Sequence, residues 1–538
     1  MNIIKGNIVD VVNKRIYKGE IHFSNIIEKI IEKEVEENIY ILPGLVNAHV
    51  HIESSMLSPL AFSKYAIKHG TVAVVTDPHE IANVCGEDGL NYMIENANNS
   101  PLKIYFGVPS CVPATTFETS GAVLDSASVS KLLASENFIM LSEMMNFPGV
   151  IYDDKEVWAK INAANLLNKP IDGHAPQLTG EPLKKYIVEA GISTDHECST
   201  YEEALEKIKY GMKIQIREGS AAKNFDTLKG LIDSHPDKIM FCTDDSHPDD
   251  LLEGHINLIV KKAWHLNYNY FDVLRAATYN PIKHYNLQVG LLQQGDAADF
   301  IVSDSKYLKT ILNVFINGKE ALHSHFSNDE IKNINQWNPT ILNKEHLVIP
   351  STENTLNIIG CIDGELLTEH LTFKYEDIFN SDGSLKNGFD KIVVVNRYIS
   401  ATPVVGIIKG VNLNQGAFGG TIAHDSHNII ICGHNDEDII NVFNLLNEYK
   451  GGIAISLNDN SMGLPLPIGG LMTSEDALTV AAKYNQLQSF AKEILGSTLK
   501  APFMTLSFMA LLVIPELKIG DKGMFNITKF DFVPFENK

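Results

Sequence analysis

The stretch Pro43–Met56 reads PGLVNAHVHIESSM and places two histidines one residue apart, shortly after a Pro-Gly turn. In a β-strand, residues i and i+2 point to the same face of the sheet. His49 and His51 would therefore direct both imidazoles at one point, an arrangement that suits a metal ion. Two surface or core histidines placed by chance would give the same pair. The rest of the chain has to decide between these interpretations.

The chain that follows this stretch alternates between short apolar runs and helical segments. Apolar runs such as TVAVVTD, FIMLSEMM and DKIMFCTDD alternate with helical segments such as SPLAFSKYAIKHG. Near-continuous apolar runs that end in polar residues are typical of buried parallel strands. The alternation predicts an α/β fold with a (β/α)8 TIM-like barrel over residues 43–289.

The segments on both sides of this region have a different residue pattern. Residues 1–42 read as short β segments separated by turn residues, and the β texture returns from Gly290. We interpret 1–42 together with 290–345 as one composite small β-sandwich domain. The polar connection HSHFSNDEIKNINQWNPT then leads to residues 346–538, whose own strands and helix predict a C-terminal α/β domain.

Charge and cysteine usage restrict the classes of function. The formal net charge of −22 and the absence of a basic run argue against a nucleic-acid partner, which needs clustered Lys and Arg. The six cysteines are scattered without CxxC spacing, which is typical of reduced thiols in a cytosolic enzyme. No signal peptide is recognisable, and the most apolar tract, FMTLSFMALLVIPEL, is too short to span a bilayer. We expect a cytoplasmic enzyme without a membrane partner.

Polar or ionisable residues follow nearly every predicted barrel strand, at the strand ends where this architecture carries its catalytic groups. The candidate metal ligands at these ends are His49, His51, Glu143, His174, His196 and Asp244. Four imidazoles and two carboxylates suffice for two divalent ions, and this donor set suits Zn, Mn or Fe. Such ions lower the pKa of a bound water and make it a nucleophile near neutral pH. Any one of these residues alone is more often a core, cap or turn residue, but the whole set is better explained by a metal centre.

Several longer motifs resemble known proteins. The H-x-H pair with the later Glu, His, His and Asp resembles the amidohydrolase superfamily. The runs HIESSM, TDPHEIANVCG and TDDSHPDD are more specific and resemble the adenine deaminase family. The resemblance continues into the tail, at GAFGGTIAHDSHNIIICG.

The resemblance implies a reaction and a set of roles. The expected reaction is hydrolytic deamination of adenine to hypoxanthine and ammonia, with two divalent ions per chain and Mn or Fe favoured over Zn. His49, His51 and Asp244 would hold one ion, and His174 and His196 the other. Glu143 would bridge them, where many relatives use a carboxylated lysine. Asp244 is also expected to act as general acid and base.

The proton donor to purine N1 stays open at this point. Glu218 in IREGS is the first candidate by position, and His247 in DDSHP is the rival; a structural role is as consistent for either residue. Asp245 and His247 are further candidates for substrate binding. Near the same rim, the polar residues Glu53, Asp77, His79 and Glu80 either orient the ligands or form helix caps and turns.

Two other functions remain open. One is a different amidohydrolase reaction, on a cyclic amide or on another aminopurine or aminopyrimidine. The other is a scaffold without catalysis, which would have lost ligands, whereas all six are present. We also expect a homo-oligomer, as is common for metabolic enzymes of this size. In the tail, His424 and His427 either reach over the barrel mouth or build a tight turn.

Overall fold

The computed structural model describes residues 1–220, 222–324, 334–458 and 460–537. The chain divides into two compact units, and the second unit includes two short segments from the N-terminal half of the chain. The first unit comprises Met1–His79, Met93–Cys111 and Leu124–Asp329, and the second comprises Glu80–Tyr92, Val112–Val123 and Glu330–Lys538. Part of the predicted polar connection, residues 325–333, lies outside the described residues.

The first unit contains sixteen of the strands that the structure describes. They are β1 (Asn2–Asp10), β2 (Arg15–Phe23), β3 (Ile27–Glu32), β4 (Tyr40–Pro43), β5 (Leu45–His51), β6 (Thr71–Thr76), β7 (Lys103–Val108), β8 (Phe138–Met144), β9 (Ile171–Gly173), β10 (Thr194–Asp195), β11 (Lys213–Arg217), β12 (Ile239–Cys242), β13 (Asp244–Asp245), β14 (Phe300–Ser303), β15 (Ile311–Ile316) and β16 (Lys319–Glu320).

Helices separate most of these strands from β5 onward. They are α1 (Pro59–Lys68), α2 (His79–Ala97), α3 (Ser126–Leu133), α4 (Phe147–Ile151), α5 (Lys155–Leu166), α6 (Gly180–Lys184), α7 (Tyr201–Lys209), α8 (Phe225–Leu228), α9 (Leu231–Ser234), α10 (Pro248–Glu253), α11 (Ile256–His265), α12 (Tyr270–Ala276) and α13 (Tyr279–Tyr285). Short 3-10 segments lie at Ile52–Ser55 and Pro236–Lys238, and a π segment at Lys185–Glu189. Of α2, the part Glu80–Tyr92 belongs to the second unit.

One sheet joins the N-terminus to the chain near residue 300. Its order is β16-β15-β14-β4-β1-β2-β3, with β14 antiparallel to β4. Its core includes an aromatic group in which the rings of Phe23, Phe300 and Phe315 lie 4.7–5.4 Å apart between centroids. The two flanks of the chain therefore share one sheet.

The middle of the first unit is built from parallel strands. A six-stranded sheet has the order β13-β5-β6-β7-β8-β9, and β10, β11 and β12 form a second parallel sheet. A single parallel bridge between Ile171 and Ile192 connects β9 to the residues just before β10. Parallel strands in chain order, separated by helices, confirm the α/β class of the prediction.

The local sequence explains these elements. All six residues of β6, TVAVVT, are buried, as expected for a parallel strand that is covered on both faces. Helix α1 begins where the Ser58 side chain accepts the Ala61 N–H and Pro59 fixes the first turn. Asp154 and Thr200 cap α5 and α7 in the same way. These side-chain caps fix where the helices begin.

The second unit has its own sheets. Its strands are β17 (Thr355–Cys361), β18 (Thr368–Lys374), β19 (Phe389–Val395), β20 (Val404–Lys409), β21 (Ala417–Gly420), β22 (Ile429–Gly433), β23 (Gly452–Leu457), β24 (Asn460–Pro465), β25 (Leu517–Gly520), β26 (Gly523–Asn526), β27 (Asp531–Val533) and β28 (Glu536–Asn537). Its helices are α14 (Tyr375–Ile378), α15 (Asp436–Tyr449), α16 (Ala477–Ser489) and α17 (Pro502–Ser507), with 3-10 segments at Lys344–Leu347 and Phe508–Ala510 and a π segment at Phe490–Ile494.

The larger sheet of the second unit is nine-stranded and mixed. Its order is β18-β17-β20-β19-β22-β21-β23-β24, with β28 paired to β17. Helix α15 buries Val442, Phe443 and Leu446 in the same apolar cluster as Ile431 of the sheet. Strands β25, β26 and β27 form a small antiparallel sheet. Within the described parts of both units, no helix has the length and apolar character needed to cross a membrane.

Candidate metal centre

Six ionisable side chains meet at the carboxyl ends of the parallel strands. We call His49, His51, Glu143, His174, His196 and Asp244 the strand-end cluster. The two histidines of β5 and Glu143 of β8 lie in the last residues of their strands, and Asp244 begins the two-residue strand β13. His174 and His196 directly follow β9 and β10. Because these strands are parallel, their carboxyl ends gather at one edge.

The first half of the cluster surrounds one oxygen of Glu143. Glu143 Oε1 lies 3.0 Å from Nε2 of His49 and 2.9 Å from Nε2 of His51. Oδ1 of Asp244 lies 3.4 and 3.1 Å from the same two nitrogens. All four residues are buried. Two imidazoles and two carboxylates therefore present donor atoms to one small volume.

The second half faces the other oxygen of Glu143. Oε2 lies 2.9 Å from Nδ1 of His174 and 3.4 Å from Nε2 of His196. Glu143 consequently has one oxygen toward His49 and His51 and the other toward His174 and His196. This is the arrangement that a carboxylate bridge between two cations requires.

Hydrogen bonding alone does not account for the first half. The Nε2 atoms of His49 and His51 are only 3.2 Å apart and both face Glu143 Oε1. Nevertheless Oε1 has no hydrogen-bond partner among the residues that the structure describes, because the approach angles are poor. A buried acceptor surrounded by nitrogens at non-hydrogen-bonding angles is a good fit for a divalent cation. The donor set of His and carboxylate is also chemically suitable.

The charges in the cluster depend strongly on one another. Burial opposes the charge of His49, but the carboxylates of Glu143 and Asp244 raise its pKa to about 9. His174 has a pKa raised to about 9 in the same way, against burial, by Glu197 and Glu143. Burial also disfavours the charge of Glu143, yet His196 and its neighbours hold the pKa of Glu143 well below its usual range. A compact group of positive charge is therefore favourable at this position.

Sequence reasoning missed Arg217 and Glu197. The Arg217 guanidinium lies 2.5 Å from Asp244 Oδ2 and also pairs with Glu197 Oε1. Burial disfavours the charge of Asp244, but Arg217 holds its pKa well below the usual range. Asp244 has a φ of +56°, in the left-handed region that is costly for a residue other than glycine. The alternation of side chains along β11 could have identified Arg217, because Gln215 and Arg217 point to the same face of that strand.

Glu218 does not contact the strand-end ligand Asp244, although its neighbour Arg217 does. Its Oε2 is 3.2 Å from Nζ of Lys262 on α11, and it lines a cavity of about 170 Å³ with Thr243 and His255. Successive residues of an extended chain point to opposite faces, so Arg217 rather than Glu218 reaches Asp244. The structure therefore places the predicted proton donor beside a lysine.

The predicted substrate-binding residues flank the end of β13. The Ser54 hydroxyl donates to Asp245 Oδ1 at 2.5 Å. The backbone N–H of His247 donates to the Ser220 hydroxyl at 2.8 Å. Both residues are partly exposed, so their side chains are open to solvent on one side.

The predicted orienting residues contact the ligands only in part. His51 Nδ1 lies 3.0 Å from the backbone carbonyl of Asp77, so the Asp77 main chain orients that ring. The Asp77 carboxylate contacts His79 Nδ1 at 3.1 Å, and the His79 ring packs edge-on against His51 at 4.6 Å. Glu53 is buried in the 3-10 turn that follows β5.

A second histidine–carboxylate group lies within the second unit. We call Glu80, His424 and His427 the Glu80 cluster. His424 Nδ1 lies 2.7 Å from Glu80 Oε1, and His427 Nε2 contacts Glu80 Oε2. All three residues are buried. The two histidines belong to a tight turn that the His427 N–H closes by donating to the Ala423 carbonyl at 2.7 Å.

Comparison with known proteins identifies the family of the chain. Residues 40–321 match the amidohydrolase family, and residues 365–531 match the adenine deaminase C-terminal domain. An adenine deaminase from Methanosarcina barkeri is 49% identical over 99% of this chain and 99% of its own length. One from Parabacteroides distasonis is 45% identical over 98% of both chains. The chain belongs to the adenine deaminase family.

Among solved structures, the β-aspartyl dipeptidase of Fervidobacterium islandicum aligns with 61% of this chain and 100% of its own length. Its sequence identity is 16% and the TM-score is 0.45. The two adenine deaminase relatives align over 98–99% of this chain, so the alignments span both units.

Proposed function

We propose that this chain hydrolyses adenine to hypoxanthine and ammonia at the strand-end cluster, which holds two divalent metal ions. The observation that carries the proposal is the position of Glu143, with one oxygen facing each pair of histidines. Relatives that align over nearly the whole chain are named adenine deaminase, which supports the substrate.

The distances from the two oxygens of Glu143 divide the four histidines into two pairs. His49, His51 and Asp244 would hold the first ion, His174 and His196 the second, and Glu143 would bridge them. A mixed imidazole and carboxylate set suits Mn, Fe and Zn, and the family resemblance favours Mn or Fe. Bound ions would lower the pKa of water toward neutrality and stabilise negative charge developing on the purine.

Asp244 would move the proton, with Oδ1 toward the histidines and Oδ2 toward Arg217. Its carboxylate accepts a proton from the attacking water and delivers it to the departing amino group, which leaves as ammonia. Arg217 lies 2.5 Å from Oδ2, so it keeps Asp244 ionised and fixes the orientation of the carboxylate. General acid–base catalysis of this kind contributes about 10² to 10⁴ in rate.

The remaining assignments of the site are part of the same proposal. Asp245 ends β13 and His247 follows it two residues later; both are candidates for contact with the purine edge. Glu218 stays a predicted proton donor for N1, although Lys262 pairs with it at 3.2 Å. For Glu218 to reach a substrate, that ion pair would have to open.

The architecture extends the proposal to the whole chain. We infer that the eight parallel strands β5 to β12 close into a (β/α)8 barrel over 43–289, with the short β13 continuing β12 and pairing with β5. We also infer that 1–42 with 290–345 form a β-sandwich domain and that 346–538 form the C-terminal domain. Two parallel sheets linked by the Ile171–Ile192 bridge support closure. We further infer a cytoplasmic location, since all six cysteines are free thiols. We also infer a homo-oligomer, as is common for metabolic enzymes of this size.

The test is a paired measurement on the purified protein. After loading with Mn²⁺, metal content is measured by mass spectrometry and the loss of adenine is followed together with ammonia release. Near two metals per chain with hypoxanthine formed is the expected result. Two metals with untouched adenine would reject the substrate, and other aminopurines, aminopyrimidines and cyclic amides would then be assayed. A protein that binds no Mn²⁺ would reject the metal centre.

A further inference from the structure

One carboxylate holds the backbone beside both histidines of the second ion, His174 and His196. Asp195 Oδ2 accepts the backbone N–H of Ala175 at 2.9 Å. Asp195 Oδ1 accepts the backbone N–H of Glu197 at 2.8 Å. Ala175 and Glu197 directly follow the two histidines in the chain. The position of Asp195, which is completely buried, therefore sets the position of both ligands.

Lys207 on α7 holds this carboxylate in place. Its Nζ lies 3.1 Å from Asp195 Oδ1 and donates to the Ala175 carbonyl and to Glu203 Oε1, each at 2.8 Å. These three acceptors match the three N–H groups of an ammonium ion. The Lys207 side chain has no exposed surface, and lysine is almost never fully buried unless it is paired. The ammonium group is therefore fully used inside the fold.

Glu203 extends the network further along the same two connections. Its Oε1 accepts the backbone N–H of Gln177 at 2.9 Å, and its Oε2 accepts the backbone N–H of Ser199 at 3.0 Å. Gln177 belongs to the connection after β9, and Ser199 belongs to the connection after β10. Lys207 and the two carboxylates that it contacts thus join both connections to α7.

The histidines of the first ion are held in a different way. His49 and His51 lie within the seven-residue strand β5, which pairs with β6 and β13. Backbone pairing therefore fixes their position. His174 and His196 instead follow strands of only three and two residues, β9 and β10. Their position depends more on side-chain contacts such as those of Asp195.

We propose that Lys207 is a positioning residue of the metal centre, which acts through Asp195 to fix His174 and His196 and so sets the affinity for the second ion. Without the ammonium group, Asp195 would be a buried carboxylate that has lost its counter-charge, which is unfavourable. The connections after β9 and β10 would then loosen together, while the ligands on β5 would stay in place. The proposal rests on the proposed function, since it requires both histidine pairs to bind metal.

The first test is the metal affinity of Lys207→Met, which keeps a long side chain and removes its charge. We expect the Kd of the second Mn²⁺ to rise about 10- to 100-fold and the Kd of the first to stay within about threefold of wild type. Competition with a chromophoric chelator measures both values. An unchanged second Kd, or an equal loss at both sites, would overturn the proposal.

Lys169→Met is the matched control. Lys169 is a half-buried lysine whose Nζ donates to the carbonyls of Leu133 and Ser135 at 2.5 and 2.9 Å, just before β8 begins. These contacts lie at the amino end of the strand, away from the strand-end cluster, so both Kd values should stay within about threefold of wild type. A loss of the second ion as large as in Lys207→Met would point to general destabilisation and overturn the proposal.

Electron paramagnetic resonance gives a signature that a general loss of stability does not produce. Two Mn²⁺ ions bridged by one carboxylate are exchange-coupled, whereas a single bound ion gives the hyperfine-split spectrum of isolated Mn²⁺. At a Mn²⁺ concentration that just saturates wild type, Lys207→Met should give the isolated-ion spectrum. A coupled pair in both proteins would overturn this inference alone. Wild type that binds no Mn²⁺ would overturn the proposed function together with it.

A third measurement does not depend on the variant folding. Because Asp195 accepts the N–H groups of Ala175 and Glu197 without any metal, both amides should exchange slowly in chelator-treated wild-type protein. Hydrogen–deuterium exchange of the peptides that contain them measures this. Rapid exchange at both positions would show that Asp195 does not hold the two connections, and it would overturn the proposal.

Discussion

The strand-end cluster and the Glu80 cluster are both buried groups of histidine and glutamate, yet their geometry differs. In the strand-end cluster, two imidazole nitrogens 3.2 Å apart face the same oxygen of Glu143. In the Glu80 cluster, each histidine has a carboxylate oxygen of its own. Nitrogens that converge on one oxygen suit a cation, whereas one nitrogen for each oxygen is a hydrogen-bonding pattern.

The outer nitrogen of His427 supports this distinction. The Ala423 N–H donates to His427 Nδ1 at 3.3 Å, so the ring proton sits on Nε2 and is donated to Glu80. A metal on Nε2 would instead require the proton on Nδ1, against that N–H. Residue types alone therefore do not distinguish a metal site from a hydrogen-bonded one. The ring nitrogen that carries the proton distinguishes them.

The largest expected effect separates the clusters by metal content. Glu143→Gln removes the bridge, and we expect adenine turnover to fall by about 10³-fold or more, with less than one metal retained per chain. Metal analysis and an ammonia assay measure both changes. The matched variant Glu80→Gln should retain the metal content of wild type. Metal loss in Glu80→Gln would erase the distinction between the clusters.

The next largest effect is a loss of kcat when Arg217, which pairs with Asp244, is replaced. Arg217→Gln removes the positive charge next to Asp244, and we expect kcat to fall by about 10²-fold because the proton-transferring carboxylate loses its orientation. Its neighbour Glu218→Gln is the comparison, measured by steady-state kinetics and metal analysis together. A larger loss of kcat in Glu218→Gln, at full metal content, would favour Glu218 as the N1 proton donor over the arrangement proposed here.

A stability effect is expected in the Glu80 cluster. Glu80→Gln leaves one buried imidazole N–H facing an amide N–H₂, which should cost about 1–3 kcal/mol in the free energy of unfolding. Denaturant titration with and without Mn²⁺ measures this cost. Because we assign no metal to the cluster, the loss should be the same in both conditions. Rescue by Mn²⁺ alone in Glu80→Gln would contradict that assignment.

The smallest effect is a pH dependence. Burial lowers the pKa of His427 below its usual value near 6.5, although Glu80 opposes the shift. The unfolded chain therefore binds a proton more readily than the folded one, and stability falls as pH drops below about 6.5. The loss attributable to His427 should reach at most about 2 kcal/mol at pH 5. His427→Gln should flatten the stability profile between pH 7 and 5, and an unchanged slope would show that another group titrates.

The sequence by itself determined the α/β class and the residues of the strand-end cluster. It did so because parallel strands leave a local record, an apolar run that ends in polar residues, and because their carboxyl ends meet at one edge. His49 and His51 share a face for the same periodic reason. The shared sheet of the two flanks followed from the return of β texture near residue 300.

Only the tertiary structure decided which side chains complete the site. Arg217 and Glu218 are equally polar neighbours, but the strand's alternation directs one toward Asp244 and the other toward Lys262. Asp172 lies two residues before His174 as an ordinary acidic residue in the sequence, and only the fold buries it against the Tyr285 hydroxyl. Glu80 and His427 are separated by hundreds of residues, and the second unit brings them together. Contacts between distant segments leave no periodic record in the chain, because they depend on how whole elements pack.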